Sequence, residues 1–381
     1  MAPAVVSSSG RRISTCQSDL RAISVDALVV THLHNLRYLT GLNATAGIVL
    51  VREHSCVLIV DFRYETAARA LLDGTSDHPF NIVVVEHTYD DTLTALLADL
   101  PPGSRVGIEA ASMTVSRFQR LASSLNSAGS ASDAGDRLAL VSTERVVERR
   151  RAVKDAQEIE IMREAARRLS IVALGIPAFI VEGRTELEIA AEIDAAIRAA
   201  GFERPAFETI VASGENSARP HARPGSRRLV RGDGVVLDFG GVYDGYCVDL
   251  TRTVPVGSVS SDLARLGGVV REAHDAAIAS VRPGVRPSEI DRAARDVLGR
   301  HGLAAAFGHG TGHGLGLEIH EDPRISKLPG ALPDDPVVAG MVFTIEPGAY
   351  VPGLGGVRIE DDVLVVDGGC EVLTDVPIGV L

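Results

Sequence analysis

Two aspartates flank a predicted hairpin turn in the segment GDGVVLDFGGVYDGYCVDLTRTVPVG. The pair Asp244-Gly245 between two β-rich runs is a strong signal for a two-residue hairpin turn. With that turn, Asp238 pairs with Thr251, and Asp249 lies two residues along on the same face. The two carboxylates are then diagonal neighbours about 7–8 Å apart. They repel each other unless a proton or a cation lies between them. The simpler alternative is that one aspartate only caps a turn.

Further acids lie in two other strand-like segments. GGVRIEDDVLVV places Glu360, Asp361 and Asp362 in a row between apolar residues, and burying one of them without a partner would be costly. A short edge strand that faces water is the alternative for this segment. In FTIEPGAY, Glu346 ends an apolar run before a Pro-Gly pair, so it is either a site residue or an exposed strand end.

Three histidines lie among five glycines in FGHGTGHGLGLEIHEDPRIS, namely His309, His313 and His320. A lone histidine is usually structural, but three within twelve positions, on a stretch too rich in glycine for a good helix, favour a site. The glycines indicate that the backbone approaches another group closely.

Together these segments offer four carboxylates and one imidazole. Such an oxygen-rich set suits Mn²⁺, Co²⁺, Fe²⁺ or Zn²⁺ and does not choose among them. Five protein ligands with two shared carboxylates would hold two ions about 3.5–4 Å apart, a spacing that hydrolases use.

The elements that must position these residues fall into two parts. In the first part, short apolar runs alternate with helix-like stretches, which predicts an α/β domain. The predicted strands are 27–31, 47–51, 57–60, 82–85 and 106–109, and the predicted helices are 65–72 and 92–100. Residues 1–10 are predicted to be a disordered tail, and 123–136, rich in Ser, Ala, Gly and Asp, a loop.

A charged segment from about residue 143 carries apolar residues at helical spacing, among them Ile159, Met162 and Leu169. We interpret its basic run as a solvated helix face and predict a domain boundary near residue 145, which gives domains of 11–145 and 146–381. The helices predicted after it are 186–200, 260–280 and 287–301, and the strands are 235–239, 341–345 and 363–366.

The motifs DFGGVYDGYCVD, GHGTGHGLGLEIHE, TIEPG and RIEDD together resemble the pita-bread metallopeptidase family, which includes methionine aminopeptidase, aminopeptidase P and prolidase. The resemblance runs from about residue 153 to the end. HNLRYLTGL and DFRYETAA resemble the creatinase-type domain that precedes the catalytic domain in prolidases and aminopeptidases P. The implied fold is therefore an α/β creatinase-type N-terminal domain followed by an α+β pita-bread catalytic domain.

The resemblance implies a role for each matching residue. Asp238 would be a terminal ligand of one metal, His313 and Glu346 would bind the second, and Asp249 and Glu360 would bridge the two. The remaining implied site residues are His320 as the catalytic histidine, His221 in the substrate pocket, Arg358 beside the bridging carboxylates and Arg324 at the substrate carboxylate. The resemblance gives His309 no role, and we expect it only to support the site.

The implied activity is hydrolysis of Xaa-Pro bonds in short proline-containing peptides, by an Xaa-Pro dipeptidase (prolidase) or an Xaa-Pro aminopeptidase. Two divalent ions are expected, Mn²⁺ first, with Co²⁺, Zn²⁺ and Fe²⁺ open, and a homodimer is implied. All five ligands match the family pattern, which disfavours creatinase and the histone-chaperone relatives that lack the metal set. A non-catalytic peptide-binding member of the fold is the alternative from another class.

Composition excludes several other classes. A net charge of −12 argues against sequence-independent nucleic-acid binding, which needs a basic surface. The N-terminus lacks a secretory pattern and no apolar run reaches the length of a membrane span, so a cytoplasmic protein is expected. Cysteines 16, 56, 247 and 370 are scattered and expected to be reduced.

Overall fold

The computed structural model describes residues 8–73, 78–128, 138–327, 334–374 and 376–377. The chain forms two compact units, Met1–Arg151 and Ala152–Leu381, whereas the sequence placed the boundary near residue 145. The first helix begins at Ser8, so residues 8–10 of the predicted tail are helical. Residues 1–7 lie outside the described part of the chain.

The first unit is built on a mixed sheet with the strand order β4-β3-β2-β1-β5-β6. Strands β1, β2 and β3 pair antiparallel, and the pairs β3–β4, β1–β5 and β5–β6 are parallel. The strands are β1 Ala27–Val30, β2 Ile48–Arg52, β3 Ser55–Val60, β4 Asn81–Val84, β5 Arg105–Glu109 and β6 Ala139–Thr143. The helices are α1 Ser8–Ala22, α2 Leu33–Thr40, α3 Phe62–Ala70, α4 Tyr89–Ala98, α5 Val115–Ala128 and α6 Glu148–Arg151.

The predicted α/β pattern of this unit is confirmed, with each predicted strand displaced by at most two residues. Two predicted helices begin three residues earlier than expected because local caps satisfy their first amides. Asp61 accepts from the backbone N–H of Arg63 at the start of α3, and Thr88 accepts from that of Asp91 at the start of α4.

The loop predicted for 123–136 is wrong over its first residues. Helix α5 runs through Ala128, because Leu121 and Leu125, one helical turn apart, both pack into the core of this unit. Residues 129–136 of that prediction lie outside the described residues.

The second unit is an α+β structure. Its helices are α7 Ala156–Gly175, α8 Glu186–Ala199, α9 Ser261–Ser280 and α10 Pro287–Arg300. Its strands are β7 Arg204–Pro205, β8 Ile210–Ser213, β9 Gly234–Tyr243, β10 Tyr246–Pro255, β11 Gly312–Gly314, β12 Glu321–Ile325, β13 Val342–Ile345, β14 Gly348–Val351, β15 Gly355–Arg358, β16 Asp361–Val366 and β17 Gly369–Val372. The helices and strands predicted here are confirmed, although β9 extends to Tyr243 and β16 begins at Asp361.

Two antiparallel sheets of the second unit carry the candidate site. Strand β9 pairs with β10, β7 and β8, and the second sheet has the order β12-β11-β13-β16-β17. Helices α9 and α10 pack on an apolar core that includes Phe343, Val363 and Val365. Strands β14 and β15 form a separate hairpin between the two acid-bearing segments.

The β9–β10 hairpin has the predicted register. Asp244 and Gly245 both adopt a positive φ, of 46° and 78°, as a type I′ turn requires. Thr251 lies opposite Asp238, and Asp249 lies opposite Gly240. The turn therefore places both aspartates on one face of the hairpin.

The acids at the start of β16 and just before it are buried, so the water-facing edge strand is excluded for this segment. Strand β16 lies between β13 and β17, and Glu360, Asp361 and Asp362 are 2%, 3% and 0% exposed. Arg252 and Thr374 both bond to Oδ1 of Asp361, at 2.7 and 2.6 Å. Burial alone would raise the pKa of Asp361, but His274, whose Nε2 lies 3.1 Å from Oδ2, and then Arg252 hold that pKa below its usual value.

The four cysteines are free thiols. Burial raises the pKa of Cys16, Cys56 and Cys247 to about 12 in each case, so these side chains remain protonated. None of the helices that the structure describes combines the length and the apolar character needed to cross a membrane.

Candidate metal centre

The five residues expected to bind metal line one cavity of about 330 Å³. Asp238 and Asp249 come from the β9–β10 hairpin, and His313 comes from β11. Glu346 directly follows β13, and Glu360 directly precedes β16. Residues more than a hundred positions apart converge because β10 of one sheet lies beside the start of β16 in the other, where the backbone N–H of Glu360 donates to the carbonyl oxygen of Thr251 at 3.1 Å.

The side chains lie close enough to share a cation. His313 Nε2 is 3.8 Å from Asp249 Oδ2 and 3.6 Å from Glu346 Oε1. One ligand atom each from Asp249, His313 and Glu360 lie within 4.8 Å of one another. Asp249 and Glu360 are almost wholly buried.

Burial and mutual repulsion disfavour the charged forms of these acids. Desolvation raises the pKa of Asp249 well above its usual value, and the charges of Glu360 and Asp238 add to the effect. The pKa of Glu360 is raised in the same way, first by burial and then by the charges of Glu346 and Asp238. Burial raises the pKa of Glu346 to about 7. Such a cluster is stable in its charged form only with a compensating positive charge.

Two carboxylate oxygens in the cavity have no internal partner. Among the described residues, Oδ1 of Asp238 and Oδ1 of Asp249 are buried without a hydrogen bond. A buried oxygen of this kind is costly unless something binds it. Carboxylate oxygens with one imidazole nitrogen are suitable donors for a divalent transition metal, so the residues present fit a metal site.

His313 is oriented for such a role. Its Nδ1 lies 3.1 Å from the carbonyl oxygen of Gly314, which can only accept, so Nδ1 carries the proton and Nε2 faces the carboxylates. Burial and the neighbouring His320 lower the pKa of His313 to about 3, so the imidazole is neutral. A neutral nitrogen facing the acids is the form that binds metal.

Steric crowding explains why glycine flanks His313 on both sides. A Cβ on Gly312 would lie 1.8 Å from the carbonyl oxygen of Thr344, and one on Gly314 would lie 2.1 Å from that of Asp322. Strand β11 thus lies too close to β13 and β12 for side chains at these positions. The close backbone approach inferred from the sequence is confirmed.

Gly312→Ala is expected to destabilise the protein by roughly 1–3 kcal/mol, because the added Cβ overlaps backbone and strand β11 must shift. Gly308→Ala is the matched control, since a Cβ there meets no atom within 4 Å. Thermal unfolding of both variants measures the difference. A Gly312→Ala protein with the melting temperature of Gly308→Ala would contradict this packing.

The other predicted residues surround the same centre. His221 and His320 line the main cavity, and they also line an adjoining cavity of about 250 Å³ together with His309, Arg324 and Arg358. The rings of His313 and His320 meet edge to face with centroids 4.4 Å apart. Burial, with Arg324 and His221 nearby, lowers the pKa of His320.

A chain of hydrogen bonds connects Arg358 to His309 through Tyr350. Arg358 donates to Asp238 Oδ2 at 2.5 Å and to the Tyr350 hydroxyl at 2.8 Å. The hydroxyl lies 2.9 Å from His309 Nε2, whose ring is neutral because burial lowers its pKa to about 4. His309 Nδ1 faces the carbonyl oxygen of Gly310 at 2.8 Å. The phenol therefore donates to His309.

Three polar residues at the centre were missed from the sequence. Tyr350 is the residue that connects Arg358 to His309 by hydrogen bonds. The Thr251 hydroxyl donates to Glu360 Oε2 at 2.6 Å, and Asp362 Oδ2 accepts from the backbone N–H of Asp249 at 3.0 Å. Thr251 and Asp362 carried a signal, since the predicted hairpin register placed Thr251 opposite Asp238 and the acidic row included Asp362, whereas Tyr350 carried none.

Comparisons with known proteins agree with this arrangement. The model of metallopeptidase family M24 matches residues 160–367, and that of the creatinase/prolidase N-terminal domain matches residues 12–153. An Xaa-Pro dipeptidase from Pyrococcus horikoshii is 33% identical over 354 residues, which cover 92% of this chain and 93% of the relative.

Solved structures show the same fold. An Xaa-Pro dipeptidase from Bacillus anthracis superposes with a TM-score of 0.89 at 33% identity, covering 98% of this chain and 99% of that one. An X-Pro aminopeptidase from Thermotoga maritima gives a TM-score of 0.81 at 34% identity, covering 95% and 99%. The predicted creatinase-type domain followed by a pita-bread domain is confirmed, and the chain belongs to metallopeptidase family M24.

Proposed function

We propose that the protein is a dinuclear-metal peptidase that cleaves Xaa-Pro bonds, with dipeptides as its preferred substrates. The observation that carries this proposal is the buried cluster of Asp238, Asp249, Glu346 and Glu360 around one neutral imidazole. Xaa-Pro dipeptidases from Pyrococcus horikoshii and Bacillus anthracis, both 33% identical, support the substrate class.

Five residues would hold two divalent ions. Asp238 would bind one ion, His313 and Glu346 would bind the other, and Asp249 and Glu360 would bridge them. When bound, the ions supply a water of lowered pKa and polarise the scissile carbonyl. Glu346 would accept a proton from the attacking water and deliver it to the leaving proline nitrogen.

The cavity walls supply the groups that orient the substrate. His320 and His221 would donate hydrogen bonds to the substrate backbone and to the oxyanion that develops during attack. Arg358 holds Asp238 in place by its hydrogen bond and balances the charge of the acids. Phe207, Ile210 and Ile319 form an apolar part of the same cavity.

An Xaa-Pro aminopeptidase that acts on longer peptides is the second candidate. It is favoured by the X-Pro aminopeptidase from Thermotoga maritima, whose sequence identity to this chain, 34%, is close to the 33% of the dipeptidase from Bacillus anthracis. A non-catalytic peptide-binding role is disfavoured, because such a protein has no use for buried acids whose charged forms are costly.

Several finer predictions remain proposals. Mn²⁺ is the metal expected from the family resemblance, and the donor set is equally compatible with Co²⁺, Zn²⁺ and Fe²⁺. The homodimer and the cytoplasmic location follow only from the sequence resemblance and the composition, and they stay predictions.

The test is to remove metal from the purified protein, restore Mn²⁺, Co²⁺ or Zn²⁺ separately, and assay Ala-Pro beside Ala-Pro-Ala. We expect metal-dependent cleavage of Ala-Pro. Faster cleavage of Ala-Pro-Ala than of Ala-Pro would make the protein an aminopeptidase. Cleavage of neither peptide by the metal-loaded protein would refute the Xaa-Pro assignment.

Arg324→Ala is expected to raise KM for Ala-Pro by about tenfold or more and to change KM for Ala-Pro-Ala less. Arg324 lines the adjoining cavity, where a guanidinium can bind the free carboxylate of a dipeptide through a charge-assisted hydrogen bond worth about 1.5–3 kcal/mol. Steady-state kinetics on both peptides measure the ratio. Equal changes in KM would remove Arg324 from this role.

A further inference from the structure

One wall of the candidate active-site cavity is an irregular segment, residues 213–227, which we call the His221 loop. His221, Ala222, Arg223 and Pro224 of this segment line the main cavity. After the 3₁₀ helix Gly214–Ala218 the segment contains no strand or helix. Contacts outside the ladders of the sheets must therefore fix its shape.

The carboxylate of Glu186 binds both ends of the His221 loop. Its Oε1 accepts from the backbone N–H of Ser213 at 2.8 Å and from the Ser213 hydroxyl at 2.7 Å. Its Oε2 accepts from the backbone N–H of Gly225 at 3.0 Å. The side-chain amide of Asn216 lies 3.1 and 3.2 Å from the two oxygens.

Glu186 is set up for this contact. It is completely buried and lies in the first turn of α8, where the helix dipole favours a negative charge. Every group that faces its oxygens is a donor, so an amide would turn its NH₂ group toward the donors of Ser213 or Gly225. A carboxylate is therefore required, and glutamine is not an equivalent replacement.

Further bonds join the same two ends of the loop. Arg227 donates to the Ser213 hydroxyl at 2.6 Å, and its backbone carbonyl accepts from the N–H of Glu186 at 3.1 Å. Between the ends, the carbonyl oxygen of Pro220 accepts from Arg358 at 3.2 Å. The loop is thus fixed to α8 at its base and to the metal-site arginine near its tip.

We propose that Glu186 is a positioning residue that holds the His221 loop in the conformation in which His221 faces the substrate. The consequence for turnover rests on the proposed peptidase function. The carboxylate touches neither substrate nor metal ligands, so it acts only through the loop. Its loss should weaken substrate binding and leave the metal content unchanged.

The test combines hydrogen exchange with kinetics on Glu186→Gln. Amide exchange in peptides that cover 213–227 should become at least about tenfold faster, because either the Ser213 or the Gly225 amide loses its acceptor and faces an NH₂ group instead. The kcat/KM for Ala-Pro should fall about 10- to 100-fold, mainly through a higher KM, as expected for a misplaced substrate-binding group. Glu192→Gln is the matched control, an acid on the same helix whose partner Arg184 is near the surface.

Two outcomes would overturn the proposal. Unchanged exchange in the His221 loop would show that Glu186 does not hold it. A loss from Glu186→Gln that is as large in a His221→Ala background as in the wild type would show that the effect does not pass through His221. The exchange result decides whether Glu186 holds the His221 loop even if the wild type cleaves no Xaa-Pro peptide. Such a lack of cleavage would refute the proposed function alone.

A second variant keeps the test decisive if Glu186→Gln does not fold. Asn216→Ala removes a donor that contacts both oxygens of Glu186 and leaves the carboxylate in place. We expect faster exchange in the same peptides and a smaller rise in KM. Unchanged exchange and unchanged KM in this variant would also count against the proposal that Glu186 holds the His221 loop.

Discussion

Replacing Asp249 by asparagine is expected to lower kcat/KM for Ala-Pro by at least about 10³-fold and to reduce the bound metal. The carboxylate is proposed to bridge two ions, and an amide offers one neutral oxygen in place of two charged ones. Losing several kcal/mol of electrostatic stabilisation in the transition state corresponds to a change of this size. The measurements are steady-state kinetics and metal content by mass spectrometry.

The stability of the metal-free variant separates this effect from unfolding. Burial and neighbouring acids raise the pKa of Asp249, so the asparagine protein without metal should be at least as stable as the metal-free wild type. Asp296→Asn, an exposed acid on α10, is the control and should keep full activity. Full activity and full metal content in Asp249→Asn would refute the proposed site.

The second large effect concerns stability and pH. The stabilisation produced by Mn²⁺ should be small near pH 5 and should grow through pH 8. In the metal-free protein, burial raises the pKa of Glu346 from 4.5 to about 7. Its contribution to stability is thus fully present below pH 4.5 and is lost as the pH rises through 7. For Glu346 alone this loss is on the order of 3 kcal/mol.

Metal binding reverses the trend, because the ligands must be deprotonated and the cation compensates their charge. The melting temperature with and without Mn²⁺, measured from pH 5 to pH 8, gives the difference directly. In Glu346→Gln the dependence of that difference on pH should be weaker. A metal-induced rise in melting temperature that stays constant or decreases with rising pH would contradict these electrostatics of the acidic cluster.

Features set by neighbouring residues could be predicted from the sequence. The Asp244-Gly245 turn fixed the register of the hairpin and thereby the common face of Asp238 and Asp249, because turn type determines pairing. Helix α7 followed from the helical spacing of its apolar residues, among them Ile159, Met162 and Leu169.

Features set by distant residues could not be predicted in this way. Helix α2 was not assigned from the sequence, since its N-cap residue His32 makes no side-chain capping bond. The chain just before the helix is held instead by Glu109, whose Oε2 accepts from the backbone N–H groups of Thr31 and His32 at 2.6 and 2.8 Å. A contact from a strand more than seventy residues away leaves no local signal.

The burial of the acidic row could not be predicted from the sequence for the same reason. Glu360, Asp361 and Asp362 could lie on a water-facing edge or in a buried strand, and the choice depends on β13 and β17. Tyr350 was missed for a related reason, because its partners Arg358 and His309 come from separate segments. Side chains that support a site are thus harder to identify from sequence than the acids and histidines that form it.

The most direct test of the central claim is a titration of metal-free protein with Mn²⁺, with bound metal and Ala-Pro cleavage measured at each addition. We expect two ions per chain at saturation and activity that appears only as the sites fill. A chain that cleaves Ala-Pro at full rate in the presence of a strong chelator, or that binds no metal at the five-residue cluster, would contradict a two-metal peptidase.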